Sequence, residues 1–306
     1  MHKIKKIIFT NLFFLTIIFT ALFFTIQCNP PSTSGNSDDT EDTDNTKAII
    51  VTVDGLSFAN TLLDPFGLEN IQKSEDYLKT NLSKLDNSES IRSFTWSGDA
   101  GDTAVILQSS YTGLRKFLID NYNEAKAKNK AFIVIGHSWG TFLSYLALSL
   151  EPQIQCDLYI TLSSPLGTAS GLPLTSPEGI IRKYTDDKLT EMSFDILGTN
   201  YPNTKKFYNF WANGDLVSGS LAGKIPVTLN VQDVKIDEGI NDNRDIAGTY
   251  FWHKFTTLGD EVVTVTDPSY PIYLAYLISI GINDITPARN TFINQVVSQI
   301  QTASGY

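Results

Sequence analysis

The pentapeptide Gly136-His137-Ser138-Trp139-Gly140 places a serine between two glycines, where an apolar strand meets an apolar helix. Residues 131–135 are all apolar, and 141–150 form a mostly apolar run of helical length. A strand that turns directly into a helix forces its corner residue into a strained conformation, which small residues two positions away accommodate. The corner side chain then projects above the sheet, beside the free N–H groups of a helix N-terminus. We therefore predict that Ser138 is a nucleophile.

Residues 136–140 resemble the nucleophile elbow of the α/β-hydrolase superfamily, in the Gly-His-Ser-x-Gly form common among lipases and esterases. The resemblance implies an oxyanion hole formed by the backbone N–H of Trp139 and a second N–H from the turn after the first strand, where the candidate is Leu56. Many lipases carry His-Gly at that turn. This chain has Asp54-Gly55 instead, so the Asp54 carboxylate must point away from the oxyanion or be paired.

The resemblance also implies a triad in the chain order serine, acid, histidine. The sequence has three histidines, of which His2 lies in the apolar N-terminal segment 1–27, outside the predicted catalytic domain. His137 is adjacent to the nucleophile, and we expect it to point away from the serine side chain and to satisfy a structural hydrogen bond. His253 is then the candidate base. Its aromatic neighbours are equally typical of a partly buried core histidine.

Asp215 is the candidate acid, because it follows the predicted strand 206–212 and an Asn-Gly turn. Its alternative role is that of a turn residue that binds its own backbone. Four other acids between the serine and the histidine end no comparably clear strand: Asp233, Asp237, Asp242 and Asp245.

Predicted strands alternate with predicted helices through residues 47–306, which form one catalytic domain. This alternation predicts an α/β fold with a doubly wound, mostly parallel sheet. The predicted strands are 47–53, 91–96, 131–135, 156–162 and 206–212, with helices at 70–85, from 102 onward and at 141–150. Residues 168–200 break the alternation with prolines, glycines and scattered apolar residues. The resemblance to α/β-hydrolases implies a small cap over the site at this point, and a long surface loop is the alternative.

Residues 1–27 have the character of an export signal, with a basic start and an almost wholly apolar stretch. Cys28 follows, and the polar, acidic segment 28–46 reads as a disordered tether. This arrangement resembles a bacterial lipoprotein, in which Cys28 is the lipidated first residue. The usual lipobox has a small residue where this chain has Gln27, so an uncleaved N-terminal anchor and a plain secretory signal are alternatives. All three predict export and, in the first two cases, membrane attachment.

The charge and composition of the chain argue against some classes of binding partner and ligand. The chain has a formal net charge of −10, to which residues 1–27 contribute +3, so residues 28–306 have a net charge of −13. An acidic protein without a basic cluster is a poor partner for nucleic acid. Two cysteines and three histidines without a cluster indicate neither a metal site nor a bound cofactor. The second cysteine, Cys156, is expected to be a small buried residue.

Together these features predict an exported serine hydrolase that cleaves carboxylic esters, with acyl or lipid esters as substrates. A catalytically inactive surface binding protein with the same fold is the alternative from another class. A thioesterase, amidase or peptidase with the same triad is the alternative among enzymes. The sequence carries no signal for an oligomeric state.

Overall fold

The computed structural model describes residues 47–53, 55, 91–94, 103–167, 201–215, 218–222, 227–240, 246–256 and 271–305. The export signal, the tether 28–46, the predicted helix 70–85 and the candidate cap 168–200 lie outside these residues.

The described residues contain a six-stranded sheet in which every neighbouring pair of strands is parallel. Its strands are β1 (Ala48–Val53), β2 (Ile91–Phe94), β3 (Ala131–His137), β4 (Leu158–Leu162), β5 (Phe207–Trp211) and β6 (Val231–Lys235), in the order β2-β1-β3-β4-β5-β6. The sheet interior is built from continuous apolar runs: every residue of β1 and of β4 is buried. Such runs are typical of parallel strands that are covered on both faces.

Helices cover both faces of this sheet. They are α1 (Thr103–Ala127), α2 (Trp139–Leu150), α3 (Ile246–Phe255), α4 (Pro271–Ser279) and α5 (Thr286–Ser304). Ile49 and Val51 of β1 share one apolar core with Leu114 of α1 and Phe142 of α2. The alternate residue Ile50 belongs to a second core, which includes side chains of α3, α4 and α5. The predicted α/β class with a doubly wound parallel sheet is thereby confirmed.

The strand order reverses at β1, and this reversal determines where a site can form. The chain passes from β1 to β2 on one side, whereas β3 pairs with the other side of β1 and later strands extend outward from it. In open α/β sheets, a crevice forms at such a point, outside the carboxyl ends of the strands. Val53 pairs with Gly136, and His137 pairs with Leu162, so the carboxyl ends of β1, β3 and β4 lie side by side at the same edge of the sheet. Residues that follow these strands therefore meet.

Four of these elements had not been predicted: β6, α3, α4 and α5. The β6 sequence is short and largely polar, and its residues are only partly buried because it lies at the edge of the sheet. The α5 helix could have been predicted from the sequence, because the apolar residues Phe292, Val296 and Ile300 repeat at four-residue spacing. All three are buried. Gly305 ends it with a left-handed φ of 73°.

Candidate active site

Ser138 lies at a sharp corner between β3 and α2, with φ 51° and ψ −127°. A positive φ is strained for a residue with a side chain, so the surroundings must hold it. The Ser138 N–H donates to the carbonyl of Leu162 at 2.9 Å. The Ser138 carbonyl accepts from both the backbone N–H and the Oγ1 hydroxyl of Thr141, at 3.0 and 2.6 Å. The corner is thus fixed to the neighbouring strand and to the first turn of α2.

Two glycines make room for this corner. A Cβ on Gly136 would lie 2.8 Å from the Cα of Thr141 and 2.9 Å from Ser144 Oγ, which explains the small residue two positions before the serine. A Cβ on Gly55, just after β1, would lie 2.7 Å from Ser138 Cβ and 3.3 Å from Ser138 Oγ. The close packing of Gly55 against the serine had not been predicted; its signal was a glycine two residues after a buried strand.

Ser138, His253 and Asp215 form one continuous line of hydrogen bonds. His253 Nε2 lies 2.8 Å from Ser138 Oγ, and its Nδ1 lies 3.0 Å from Asp215 Oδ2. The Asp215 side chain is fully buried, whereas the His253 side chain is 14% exposed. Because a carboxylate only accepts hydrogen bonds, the proton of a neutral His253 lies on Nδ1 and leaves Nε2 to accept from the serine hydroxyl. This arrangement can remove a proton from Ser138 as the serine attacks a carbonyl carbon.

Asp215 follows β5 in a turn that a second carboxylate supports. Asp237, itself fully buried, accepts at Oδ2 from the backbone N–H groups of Asn213 and Gly214, at 2.6 and 3.0 Å. The Asp215 N–H donates to the carbonyl of Ala212 at 3.3 Å. The turn that carries the candidate acid is therefore fixed by Asp237, two residues after β6.

Of the four other acids that could have been the triad acid, the two that the structure describes, Asp233 and Asp237, accept hydrogen bonds from loop and turn residues. Asp233 accepts hydrogen bonds from Asn209, Ser220, Leu221 and Ala222, and so organises the loop after the Asp215 turn. Asp237 supports the Asp215 turn. The two remaining rivals, Asp242 and Asp245, lie outside the described residues.

His253 lies in the last turn of α3, a helix fixed by buried contacts. The Arg289 guanidinium, on α5, donates to the carbonyl of Phe255 at the end of α3 and lies 5.5 Å from the centre of the Phe255 ring. The indole N–H of Trp252 donates to the hydroxyl of Tyr276 on α4 at 2.7 Å. A cation at a helix C-terminus is favourable because it complements the negative end of the helix dipole. These contacts place the histidine on a rigid element, and the sequence offered no signal for the role of Arg289.

His137 satisfies a structural hydrogen bond, as expected from the sequence. Its buried ring lies 5.0 Å from the His253 ring, centre to centre, and its Nε2 lies 3.1 Å from the backbone carbonyl of His253. Burial, reinforced by the neighbouring His253, lowers the pKa of His137 to about 3. Its imidazole is therefore neutral near pH 7.

Half of the predicted oxyanion hole lies within the described residues. Trp139 is the first residue of α2, where backbone N–H groups have no partner within the helix. Leu56 and Asp54 lie outside the described residues. Gly55, between them in the sequence, packs against Ser138.

Three further observations concern the other predicted sites. Within the described residues, no group of three or more histidine, cysteine, aspartate or glutamate side chains could hold a metal ion. Helices long and apolar enough to cross a membrane are also absent from the described residues, and Cys28 lies outside them. Cys156 is buried, and this burial, followed by the negative charge of Asp157, raises the pKa of its thiol.

No protein-family model matches the sequence, and no curated protein matches it. Solved structures with similar folds include a lipase B from Aspergillus fumigatus (TM-score 0.42, 10% identity, 72% of this chain) and phospholipase PlaB from Legionella pneumophila (TM-score 0.31, 16% identity, 54% of this chain). The chain spans 51% of the first protein and 39% of the second. A soluble variant of monoglyceride lipase from Saccharomyces cerevisiae has a TM-score of 0.43 and 14% identity, over 92% of this chain and 98% of that one. All three TM-scores lie below 0.5, so the functional assignment depends on this chain's own geometry.

Proposed function

We propose that this protein is an exported serine hydrolase that cleaves carboxylic esters through an acyl-enzyme. The observation that carries the proposal is the line from Ser138 Oγ through His253 to Asp215, with contacts of 2.8 and 3.0 Å. A serine at a strained corner, a histidine on a fixed helix and a fully buried carboxylate are the three parts that activate a hydroxyl as a nucleophile.

The reaction begins when Ser138 Oγ attacks the ester carbonyl carbon and its proton moves to His253 Nε2. Backbone N–H groups at Trp139 and Leu56 stabilise the negative charge that develops on the carbonyl oxygen. The tetrahedral intermediate collapses as the bond to the alcohol oxygen breaks, and His253 gives its proton to the leaving alcohol. Ser138 then carries the acyl group.

The second half repeats these steps with water. His253 Nε2 removes a proton from water, whose oxygen attacks the acyl carbon, and the bond to Ser138 Oγ breaks. The proton returns to Oγ, and the carboxylic acid leaves. Asp215 remains ionised throughout; it keeps the His253 proton on Nδ1 and stabilises the imidazolium that forms in each half. The chemistry needs no cofactor.

Acyl or lipid esters near a membrane are the proposed substrates. Lipidation of Cys28, or retention of the apolar N-terminus, would attach the protein to a bilayer outside the cytoplasm. The polar segment 28–46 would then keep the catalytic domain within some tens of ångströms of the lipid surface. The candidate cap 168–200 supplies apolar residues suited to an acyl chain.

Labelling of the full-length chain with a fluorophosphonate probe tests the proposal, because the probe reacts with an activated serine. We expect one labelled residue, Ser138, and hydrolysis of p-nitrophenyl esters. Ser138→Ala and His253→Ala should each lower kcat on the order of 10³-fold or more, since nucleophile and base act as a unit. Ser149→Ala is the matched control: it removes a buried hydroxyl at the far end of α2, where Ser149 donates to the carbonyl of Tyr145.

The alternatives give different results in the same assay. A folded chain that is not labelled is an inactive scaffold, as expected of a surface binding protein. A labelled chain that cleaves thioesters or amides in preference to esters has the proposed triad but another substrate class. A greater loss of activity in Asp242→Asn or Asp245→Asn than in Asp215→Asn would show that the acid is misassigned.

A further inference from the structure

His253 is held at both of its ends by two consecutive residues of the elbow. Ser138 Oγ lies 2.8 Å from the imidazole Nε2, and His137 Nε2 lies 3.1 Å from the His253 backbone carbonyl. The two neighbours reach the same residue, one through its side chain and the other through its main chain. The pair thus fixes both the ring and the helix that carries it.

The His253 carbonyl is a group that needs such a partner. It lies in the last turn of α3, where backbone carbonyls run out of donors within the helix. The His137 ring and the hydroxyl of Thr256, 3.0 Å from the same oxygen, supply donors. The Thr256 hydroxyl is in turn 2.7 Å from Ser163 Oγ, at the end of β4. The last turn of α3 is thereby connected to both β3 and β4.

The hydrogen bond to this carbonyl determines the tautomer of His137. A carbonyl oxygen only accepts, so Nε2 of His137 must carry the hydrogen. Its Nδ1 is buried without a hydrogen-bond partner in the described residues. An unpartnered Nδ1 suits a neutral ring whose proton lies on Nε2, because a second N–H would be left buried and unpaired.

We infer that His137 is a positioning residue: its Nε2–H holds the His253 main chain, and thus sets the distance from the imidazole to Ser138 Oγ. This inference rests on the proposed function. No hydrogen bond joins His137 to the serine hydroxyl in the described residues; His137 acts through the helix α3. Without its hydrogen bond, the end of α3 retains the Thr256 contact and the bond between the His253 ring and Ser138, but loses the connection from its main chain to the elbow.

A pair of variants separates the hydrogen bond from the packing of the ring. His137→Leu keeps an apolar side chain in the buried site without a donor, whereas His137→Gln restores an N–H at a similar reach. We expect His137→Leu to slow the labelling of Ser138 by a fluorophosphonate, and to lower kcat, by about tenfold with KM unchanged; a tenfold change corresponds to about 1.4 kcal/mol. His137→Gln should recover most of this loss. Ser149→Ala should be labelled at the wild-type rate, which controls for a general loss of stability.

A folded His137→Leu protein that is labelled at the wild-type rate would overturn the inference. So would a His137→Gln protein as slow as His137→Leu, because the ring would then act by packing. If His137→Leu does not fold, nitrogen NMR of the histidines in the wild-type protein tests the inference instead. We expect a neutral His137 with its proton on Nε2 at pH 7. A proton on Nδ1 would overturn the inference. If the wild-type chain is not labelled at all, the proposed function itself fails, and that result is visible before any variant is compared.

Discussion

Replacing Gly55 with alanine should lower the reactivity of Ser138 although no residue of the proposed triad is changed. Gly55 follows β1 and lies against the serine corner. A Cβ at this position would stand 2.7 Å from Ser138 Cβ and 3.2 Å from the carbonyl oxygen of His137. Carbon atoms in contact are normally about 3.5–4.0 Å apart, so the serine or the end of β1 must move by roughly 0.8 Å or more.

The serine has little freedom to move. Its N–H is bound to Leu162 on β4, and its carbonyl accepts two hydrogen bonds from Thr141. A shift of the Ser138 side chain changes its distance from His253 Nε2, which is now 2.8 Å. A misplacement of about 1 Å can cost on the order of 10²-fold in rate. Overpacking of a buried site also costs about 1–3 kcal/mol of the free energy of unfolding.

We therefore expect Gly55→Ala to lower kcat/KM for a p-nitrophenyl ester on the order of 10²-fold in a protein that still folds. The assays are steady-state kinetics and the rate of Ser138 labelling, with urea unfolding as the measure of stability. Gly113→Ala is the control: Gly113 is exposed on α1, and its new Cβ would meet Phe94 at 3.4 Å, an ordinary contact. It should leave activity unchanged and stabilise the helix by about 0.5–1 kcal/mol. Wild-type kinetics in Gly55→Ala would refute the close packing of the β1 turn against the nucleophile.

Two further predictions concern pH and the N-terminus. The pKa of His137 is about 3 in the folded chain, against an ordinary value of 6.5, so the unfolded chain binds the proton first as the pH falls. The stability from neutral His137 is present above pH 6.5 and is lost towards pH 3, so wild type should lose about 2 kcal/mol more than His137→Gln between pH 7 and pH 5, measured by urea unfolding. Mass spectrometry of the mature protein should find a diacylglyceryl group on Cys28 at its N-terminus. An intact Met1 would instead establish the uncleaved anchor.

The sequence predicted the fold class well, because parallel strands leave a clear signal. The apolar run 131–135 and the small residues around Ser138 together specify a strand, a corner and a helix, and β3 and α2 follow that prediction. His253 and Asp215 could be proposed because the chain has few histidines and because Asp215 follows an apolar strand. The structure brings these three residues together; their catalytic roles remain a proposal.

Other parts of the site depend on contacts between distant segments, which no local pattern reveals. The packing of Gly55 against Ser138 joins the ends of two strands that are more than 80 residues apart in the chain. Arg289 reaches the end of α3 from α5, although its neighbours in sequence give no sign of an interior position. The β6 strand was missed because an edge strand that is buried on few positions does not need an apolar sequence.

Asp215 and Asp237 illustrate why sequence position alone cannot assign the acid of a triad. Both carboxylates are fully buried, and each follows one of two neighbouring parallel strands. What distinguishes them is the donor that each oxygen faces. Oδ2 of Asp237 accepts from the backbone N–H groups of the turn that carries Asp215, whereas Oδ2 of Asp215 accepts from the His253 ring. A buried carboxylate is stabilised by the groups that donate to it, so Asp237 shapes the turn while Asp215 is left to orient the His253 ring.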